Sequence, residues 1–534
     1  MTQTDSTPAH PEHTALANDP KLVIFASSLG TVFEWYDFFI YASLAAFFGQ
    51  QFFPAGDATA AILANLAILG AGFAARPLGA IIFGQMGDVL GRKHTFLVTI
   101  TLMGGATALI GILPTYAQIG VMAPILLVTL RLIQGLALGG EYGGAAIYVA
   151  EHAPYNKRGA YTGWIQITAG LGFLMSLLVI LGTRQVVGEE AFGEWGWRIP
   201  FLLSVFLLAI SIFVRLKLNE SPIFAKMKAE GTTSRAPLRE VFTSKALVWR
   251  MITACLGANA GQGVLWYTSQ IYALYFLTTQ MKIPGVYANI VMVAVVVITT
   301  PLFAIFGWLS DRVGRKTIIA AGLIMGTVAI FPTYQALARA ANPALIEATE
   351  AAPVRLVGPE CPMRIMDKKQ VTECGQAKAF LANSGVSYQY QAMDGAPLVI
   401  TVGETSLQGF DQDVLRQTLQ DAGYPETVNP DEVNWVKVVG LIVFLTIFAT
   451  MTYGPIAAFL VELFPARVRY SALSIPYHMG SGVIGGFTPF VSFAIMTATG
   501  NIYAGLWYPV AIAGLGFVIN MLTLPETRHV DITQ

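Results

Sequence analysis

The sequence is poor in charge. Only 12% of its 534 residues are Asp, Glu, Lys or Arg, while 54% are hydrophobic and the mean hydropathy is +0.59. A soluble domain of this size could not expose such a composition to water without aggregating, so the expected solvent is a lipid bilayer. Because 32 basic residues balance 32 acidic ones, the net charge indicates no nucleic-acid partner.

Several chemical motifs are also missing. The chain has no G-x-x-x-x-G-K-[S/T] sequence, so an ATP-driven pump is not expected. It has three cysteines and no C-x-x-C pair, so neither a metal site nor a redox site is predicted. No nucleophile–base arrangement indicates an enzyme, and we expect no cofactor.

What the sequence does have is a series of long apolar runs. Helices are expected for them, because a helix pairs its own backbone groups in lipid and about twenty residues cross the hydrocarbon layer. Twelve such runs are present: 22–48, 58–83, 95–113, 119–150, 160–182, 197–216, 251–279, 288–309, 317–337, 436–463, 472–497 and 503–524. The sequence therefore predicts an all-α membrane protein with twelve transmembrane helices. A polar, disordered tail is predicted at 1–20, with no secretory signal peptide.

Lys and Arg near the ends of the runs gather on one side, which the positive-inside rule assigns to the cytoplasm. Both termini, the central segment 217–250 and the tail 526–534 are predicted on that side. The remaining domain boundaries are a six-helix first half at 21–216 and a second half at 251–341 and 435–525, interrupted by 342–434 on the extracytoplasmic side.

The interrupting segment, 342–434, is polar and rich in turn signals, and it predicts a small α/β domain. We expect a helix over 371–382, a hairpin of 387–393 with 397–402 across Asp394-Gly395, and a helix over 411–422. Cys361 and Cys374 both fall here, outside the cytoplasm, where a disulfide between them is predicted. Cys255 falls in run seven and is expected to pack as a small apolar residue.

Two internal repeats divide the chain into related halves. Gly84–Lys93 reads G-Q-M-G-D-V-L-G-R-K, and Gly307–Lys316, 223 residues later, reads G-W-L-S-D-R-V-G-R-K. An E-x-x-P-x-x-x-R pattern starts at Glu151 and again at Glu462, 311 residues later. The extra 88 residues match an insertion at 342–434, so the sequence indicates both a duplication and an insertion.

These features together resemble the major facilitator superfamily. The sequences E-W-Y-D-F-F-I-Y at 34–41, A-R-P-L-G at 75–79, R-x-x-Q-G at 131–135 and G-G-E-Y-G-G-A at 139–145 are similar to those of its metabolite:proton symporter family. That family includes bacterial carriers for α-ketoglutarate, citrate, shikimate and proline or betaine. The resemblance implies two six-helix pseudo-repeats, alternating access and a bacterial-type inner (plasma) membrane. It also implies gating roles for Gly84, Asp88, Gly91, Arg92, Lys93, Glu151, Arg158, Asp311, Gly314, Arg315, Lys316, Glu462 and Arg469.

Ionisable residues inside the runs are costly in lipid and therefore indicate function. Glu34 and Asp37 share one helical face of run one, and with Glu141 of run four they are predicted to couple protons. Arg76 and Arg131 are predicted to hold a carboxylate. The alternative is that these five charges form fixed ion pairs that only hold helices together.

Polar and aromatic residues of both halves complete the predicted substrate site, with Tyr453 preceding a helix break at Gly454-Pro455. For Asn259 and Gln262 an interhelical hydrogen bond is an equal alternative, and packing is preferred for His478 and for Trp266. The predicted substrate-binding residues are Arg76, Arg131, Tyr36, Gln134, Asn259, Gln262, Tyr267 and Tyr453.

The sequence thus favours a monomeric secondary transporter that imports a small organic anion with protons, its energy drawn from the proton gradient. A carrier of a zwitterionic osmolyte such as proline or betaine is the first alternative. A sensor that binds its ligand through 342–434 is the second.

Overall fold

The computed structural model describes residues 20–52, 58–216, 220, 222–360, 372–393 and 395–532. Almost all of the tail 1–20 therefore lies outside the described residues. Twelve helical segments match the twelve apolar runs and are numbered α1 to α12 after them. They are α1 Pro20–Phe52, α2 Ala58–Val89, α3 Arg92–Gly111, α4 Met122–His152, α5 Tyr155–Val187, α6 Arg198–Leu216, α7 245–280, α8 Gly285–Val313, α9 Arg315–Ala341, α10 Trp435–Leu463, α11 Ala466–Thr499 and α12 Ala504–Thr523.

Nine helices within the described residues, α3 to α6 and α8 to α12, are long and apolar enough to cross a membrane. For α1, α2 and α7 the crossing stays a prediction. Helices of the two halves pack on one another, α5 against α8 and α2 against α11. Shorter helices, Pro222–Glu230 and Pro237–Thr243, lie in the central segment.

Three of the second-half helices are irregular. In α7, π-helical segments at Cys255–Ala260, Thr268–Tyr272 and Phe276–Gln280 alternate with α-helical turns, and α11 has a π-helical segment at His478–Gly485. Helix α10 is interrupted between Tyr453 and Ile456, as the Gly454-Pro455 pair predicts. Such interruptions are frequent at functional sites, because they redirect side chains and backbone groups.

Between α9 and α10 the chain forms a compact group that we call the sheet unit, residues 343–360, 372–393 and 395–432. Its helices are Pro343–Ala351, Glu373–Asn383 and Gln412–Asp421. Its strands are β1 Val354–Gly358, β2 Tyr388–Ala392, β3 Val399–Val402 and β4 Thr405–Gln408, in the order β2-β1-β3-β4. The Asn434 N–H donates to the Ala340 carbonyl at 2.9 Å, so both ends of the unit meet at one place.

The two predicted helices of this segment are present, but the predicted hairpin of 387–393 with 397–402 is wrong. Both strands instead flank β1, β2 in parallel and β3 antiparallel, and β3 pairs with β4. The reason is that β1, with Val354 and Leu356 buried, is the central strand and was not predicted. A parallel pair needs a crossover, which helix Glu373–Asn383 provides between β1 and β2.

The molecule has two distinct ends. The turns Gly84–Lys93 and Gly307–Lys316 lie at one, which we call the motif end. The sheet unit lies at the other, which we call the sheet end, because it contacts the Gln280 end of α7 and the Gly500 end of α11. Cys374 is disulfide-bonded and Cys255 is free, while the predicted partner Cys361 lies outside the described residues. The pairing therefore stays a prediction.

Candidate functional site

A small cavity of about 20 Å³, roughly the room of one water molecule, lies between the two halves. Its lining residues are all buried, so the cavity is closed at both ends of the bundle. The first half contributes Trp35, Phe39, Arg76 and Ala169, and the second contributes Gln262, Trp266, Tyr267, Tyr453, Tyr477 and Ser481.

Aromatic rings form most of this wall. Phe39 stacks on Trp266 across the halves with ring centroids 5.1 Å apart. Tyr477 of the second half stacks on Tyr142 of the first at 3.6 Å, and its hydroxyl lies 2.9 Å from that of Tyr453. Broad aromatic faces with a few polar groups are typical of a small-molecule site.

Arg76 brings positive charge to this wall. Its guanidinium carbon lies 4.4 Å from the ring centroids of Phe38 and Phe73, and its Nε and Nη2 atoms have no hydrogen-bond partner among the described residues. A Cβ placed on Gly482 would lie 3.1 Å from Arg76 Cδ, so Arg76 reaches from the first half to α11.

Arg131 also contacts the Phe38 ring, with its guanidinium carbon 4.6 Å from that centroid and 4.3 Å from the centroid of Tyr41. It donates to Gln134 Oε1 at 2.7 Å, and Gln134 donates to Thr107. Neither Arg131 nor Arg76 forms an ion pair within the part of the chain that the structure describes. Two buried guanidinium groups that contact aromatic faces, and whose N–H donors have no partner among the described residues, can bind an anion.

The buried carboxylates lie apart from these arginines, around Arg215 of α6. Arg215 Nη2 is 2.8 Å from Glu34 Oε1 and also contacts Glu141 Oε1. Thr99 donates to the other oxygen of Glu141 at 3.0 Å. Glu34 Oε2 has no hydrogen-bond partner among the described residues, and all three ionisable side chains are buried.

Asp37 is buried one turn beyond Glu34, and its Oδ1 also has no partner within the described residues. A Cβ on Gly30 would lie 2.7 Å from Arg215 Nε, so α1 needs glycine there to approach the guanidinium. Glu34 and Glu141 carry one negative charge in excess of Arg215 when both are ionised, and an ionised Asp37 adds a second on the same helix. Burial makes that state costly, and bound protons relieve it.

The sequence did not identify Arg215, which lies in the last turn of an apolar run and resembled an ordinary positive-inside residue. With Arg215, three buried guanidinium groups balance three buried carboxylates, whereas the sequence alone indicated two guanidinium groups against three carboxylates. The two kinds of charge are separated, because Arg76 lines the cavity beside Arg131, whereas the acidic residues lie toward Arg215.

The other predicted substrate residues divide into two groups. Gln262, Tyr267 and Tyr453 line the cavity with Arg76. Tyr36 instead donates to the Pro200 carbonyl at 2.6 Å, and Asn259 donates to Ala254 of its own helix at 2.9 Å. Gln262 accepts a hydrogen bond from Ser481, so it also joins two helices of the second half.

His478 and Trp266 were expected to pack. Both ring nitrogens of His478 are buried and have no hydrogen-bond partner among the described residues. Trp266 packs on Phe39 but also lines the cavity. The lining residues Trp35, Phe39, Tyr477 and Ser481 were not singled out, because apolar helices contain many aromatic and small residues.

The motif end joins the halves through two equivalent contacts. Asp88 accepts hydrogen bonds from Tyr470 N at 3.3 Å and from Ser471 N at 3.0 Å, at the amino end of an α11 helical turn, and from Ser471 Oγ at 2.8 Å. Asp311 accepts from Gly159 N at 2.9 Å and Ala160 N at 2.8 Å, at the start of α5. Each carboxylate thus caps a helix of the opposite half, where the helix dipole favours negative charge.

Ion pairs surround both contacts. Glu462 lies 3.5 Å from Arg158 and 3.2 Å from Arg315, which also pairs with Asp311 at 2.7 Å. Arg469 lies 3.2 Å from Glu151. Because Arg158 and Glu151 belong to the first half and their partners to the second, these pairs also close the motif end.

The two turns have matching backbones. Gly91 and Gly314 have φ of 111° and 121°, values that favour glycine. Lys93 and Lys316 donate to the Leu216 and Met521 carbonyls. A Cβ on Gly84 would lie 3.2 Å from Ser471 Cα, which explains close helix approach there. The side chain of Arg92 lies outside the described residues.

The chain after α12 adds contacts that the sequence did not predict. Glu526 accepts from the N–H groups of Arg315 and Lys316, at the amino end of α9. Arg158 donates to the Val530 carbonyl at 2.7 Å and Arg469 to the Ile532 carbonyl at 2.6 Å. This segment therefore lies across both halves at the motif end.

Comparison with known proteins gives consistent matches. The sugar (and other) transporter family model matches residues 22–240 and 223–348. The inner membrane metabolite transport protein YhjE of Escherichia coli is 30% identical over 99% of both chains. The shikimate transporter of Escherichia coli is 39% identical over 58% of this chain and 71% of its own length. The proline/betaine transporter of Salmonella typhimurium is 35% identical over 59% of this chain and 64% of its own.

Among solved structures, the proton:xylose symporter XylE bound to 6-bromo-6-deoxy-D-glucose superposes with a TM-score of 0.64. The match covers 96% of this chain and 98% of that one, at 14% identity. At that identity the likeness shows a shared fold, the major facilitator fold, and no more.

Proposed function

The chain belongs to the sugar (and other) transporter family of the major facilitator superfamily, and from this premise we propose that it imports a small organic anion by proton symport. As a member of that family it is a multi-pass membrane transporter of metabolites and not an enzyme.

The observation that carries the proposal is the separation of buried charge. Arg76 lines the cavity and Arg131 contacts the same Phe38 ring, and neither has a carboxylate partner among the described residues. Glu34 and Glu141 instead share Arg215. A substrate carboxylate would give the arginine pair the counter-charge that the described protein does not supply. The relative named as a shikimate transporter agrees with a carboxylate substrate.

Helix α1 connects the two charged groups. It carries Glu34 against Arg215, Phe38 against both Arg76 and Arg131, and Trp35 and Phe39 in the cavity wall. We infer that protonation around Glu34, Asp37 and Glu141 loosens the hold of Arg215 on α1. A change in α1 then reaches the wall of the substrate site directly. Rocking of the two halves, which opens the motif end and the sheet end in turn, completes alternating access.

We also propose a topology. The motif end, rich in Lys and Arg, faces the cytoplasm, and the sheet unit faces the extracytoplasmic side of a bacterial-type inner membrane. All twelve helices, α1 to α12, cross the bilayer, and the protein acts as a monomer with no cofactor.

A zwitterion such as proline or betaine is the second candidate, because aromatic faces of Trp35, Phe39, Trp266 and Tyr477 can hold an ammonium group. One relative is named as a proline/betaine transporter. The family match favours transport over a sensor.

Uptake into proteoliposomes with an imposed pH gradient tests the proposal. Mono-, di- and tricarboxylates are offered beside proline and betaine. We expect a carboxylate to accumulate, and Arg76→Gln and Arg131→Gln to abolish its uptake. Arg339→Gln, which removes the same charge from an exposed pair with Glu350, is the matched control. Accumulation of betaine but of no carboxylate would favour the second candidate.

A further inference from the structure

The sheet unit is held mainly by the second half. It is joined covalently to α9 and α10, and its β2 residue Tyr388 donates its N–H to the Gly500 carbonyl at 2.9 Å. Lys282, in the α7–α8 loop, donates to the Asn383 carbonyl. These loops all belong to the second half.

The contacts are close enough to fix the unit. Gly500 has φ of 72°, and a Cβ there would lie 2.6 Å from the Tyr388 ring. A Cβ on Gly385 would lie 2.3 Å from the Gln280 carbonyl oxygen at the end of α7. The Tyr388 side chain is buried, and its hydroxyl donates to the Thr497 carbonyl at 3.4 Å. Backbone packing at two glycines leaves little freedom to rock against the second half.

One element of the unit packs against the first half in the part of the chain that the structure describes. Helix Glu373–Asn383 has Cα atoms within 8 Å of those of α2, and it lies against α7 and α11 as well. One helix thus spans the junction of the halves at the sheet end. If the halves separate there, the covalent links and the glycine contacts carry the unit with the second half.

We propose that the sheet unit is a cap carried by the second half, whose helix Glu373–Asn383 has to release α2 before the cavity opens at the sheet end. The inference rests on the proposed alternating access, in which the motif end and the sheet end open in turn. Its tests, however, measure opening and not uptake, so they fail or succeed independently of the substrate.

The first test uses a cysteine in the cavity. In a Cys255→Ser background, Ser481→Cys is labelled on intact cells with a membrane-impermeant cationic thiosulfonate. Tyr388→Ala removes the anchor of the cap on the second half, so the cap no longer holds the halves together through its contact with α2. The labelling rate is expected to rise about tenfold or more, since truncating a buried aromatic ring costs at least the roughly 1.4 kcal/mol that tenfold represents.

Tyr390→Ala is the matched control, in the same strand. Tyr390 donates to the Pro359 carbonyl and lies under Lys378, both within the sheet unit. Its truncation is expected to change the rate by less than about twofold, a difference of a few tenths of a kcal/mol. An unchanged rate in Tyr388→Ala would overturn the proposal. Equal increases in both variants would also overturn it, because they would indicate loss of the unit's fold and not loss of docking.

A second measurement uses spin-label pairs in otherwise unaltered sheet units. The pair Gln420→Cys and Ile290→Cys measures the distance from the cap to the second half. The pair Gln420→Cys and Ala117→Cys measures its distance to the first half. We expect one narrow distance for the former and an added longer component for the latter. The reverse pattern would show that the cap moves with the first half, contrary to the proposal. Absent uptake with this pattern intact would count against the proposed function alone.

Discussion

Neutralising Asp88 should open the motif end. Asp88 is buried and accepts three hydrogen bonds from Tyr470 and Ser471 of the opposite half. In Asp88→Asn one oxygen is replaced by an NH₂ group, which faces backbone donors and cannot accept from them. The negative charge at the amino end of the α11 turn is lost as well.

The expected cost follows from these contacts. A hydrogen bond to a charged group contributes about 1.5–3 kcal/mol, and a carboxylate at a helix amino end contributes about 0.3–1 kcal/mol more. The contacts exist only while the halves meet, so the closed state alone loses about 3 kcal/mol. The ratio of closed to open molecules should therefore fall about a hundredfold. Ser471→Ala removes only the hydroxyl bond to this carboxylate, worth about 1.5 kcal/mol at the lower end of that range, and should shift the ratio about tenfold.

Spin labels at His94→Cys and Val313→Cys report the distance between the halves at this end. We expect a longer component that is small in the wild-type background, larger in Ser471→Ala and dominant in Asp88→Asn. Asp413→Asn is the control, because it neutralises a carboxylate at the amino end of an exposed helix in the sheet unit. Identical distributions in Asp88→Asn and wild type, or an equal effect of Asp413→Asn, would refute the reasoning.

Three further predictions concern other buried charges. Arg76→Lys should lower kcat/KM for carboxylate uptake by about a hundredfold, because the compact lysine ammonium cannot stack on aromatic rings as the planar guanidinium does. Uptake kinetics measure this effect, and normal uptake would contradict it. Arg215→Gln should destabilise the protein by about 3–5 kcal/mol, because buried carboxylates lose their cation; adding Glu141→Gln should restore part of the thermal stability, and no rescue would contradict the assigned pair. Burial lowers the pKa of Lys282 to about 8. Between pH 8 and about 10.5 the unfolded chain holds that proton and the folded chain does not, so stability should rise with pH relative to Lys282→Met; a constant difference in melting temperature from pH 7 to 10 would contradict it.

Much of the fold is predictable from hydropathy and repetition. The apolar runs mark the helices because a bilayer imposes their length. The paired turns at Gly84 and Gly307 predict related halves, and Asp88 meets the amino end of a facing helix as their chemistry suggests. The arrangement of β1 could not be predicted, because a central strand is defined by its partners, which lie 30 to 50 residues away in the chain.

The candidate site was predictable in its residue types but not in its pairing. Glu34, Arg76 and Arg131 were conspicuous because charge in lipid is rare. Which carboxylate meets which guanidinium depends on helix rotation and on close approach at single positions such as Gly30. Arg215 pairs with Glu34 across 181 residues of sequence, a relation that no local pattern carries.

The most direct measurement is lumenal pH in proteoliposomes during uptake of the transported carboxylate. With a pH-sensitive dye inside, no initial pH gradient and the membrane potential clamped, symport predicts acidification of the lumen in step with uptake. Glu34→Gln should abolish the acidification. Uptake of the compound without any change of lumenal pH would contradict proton symport.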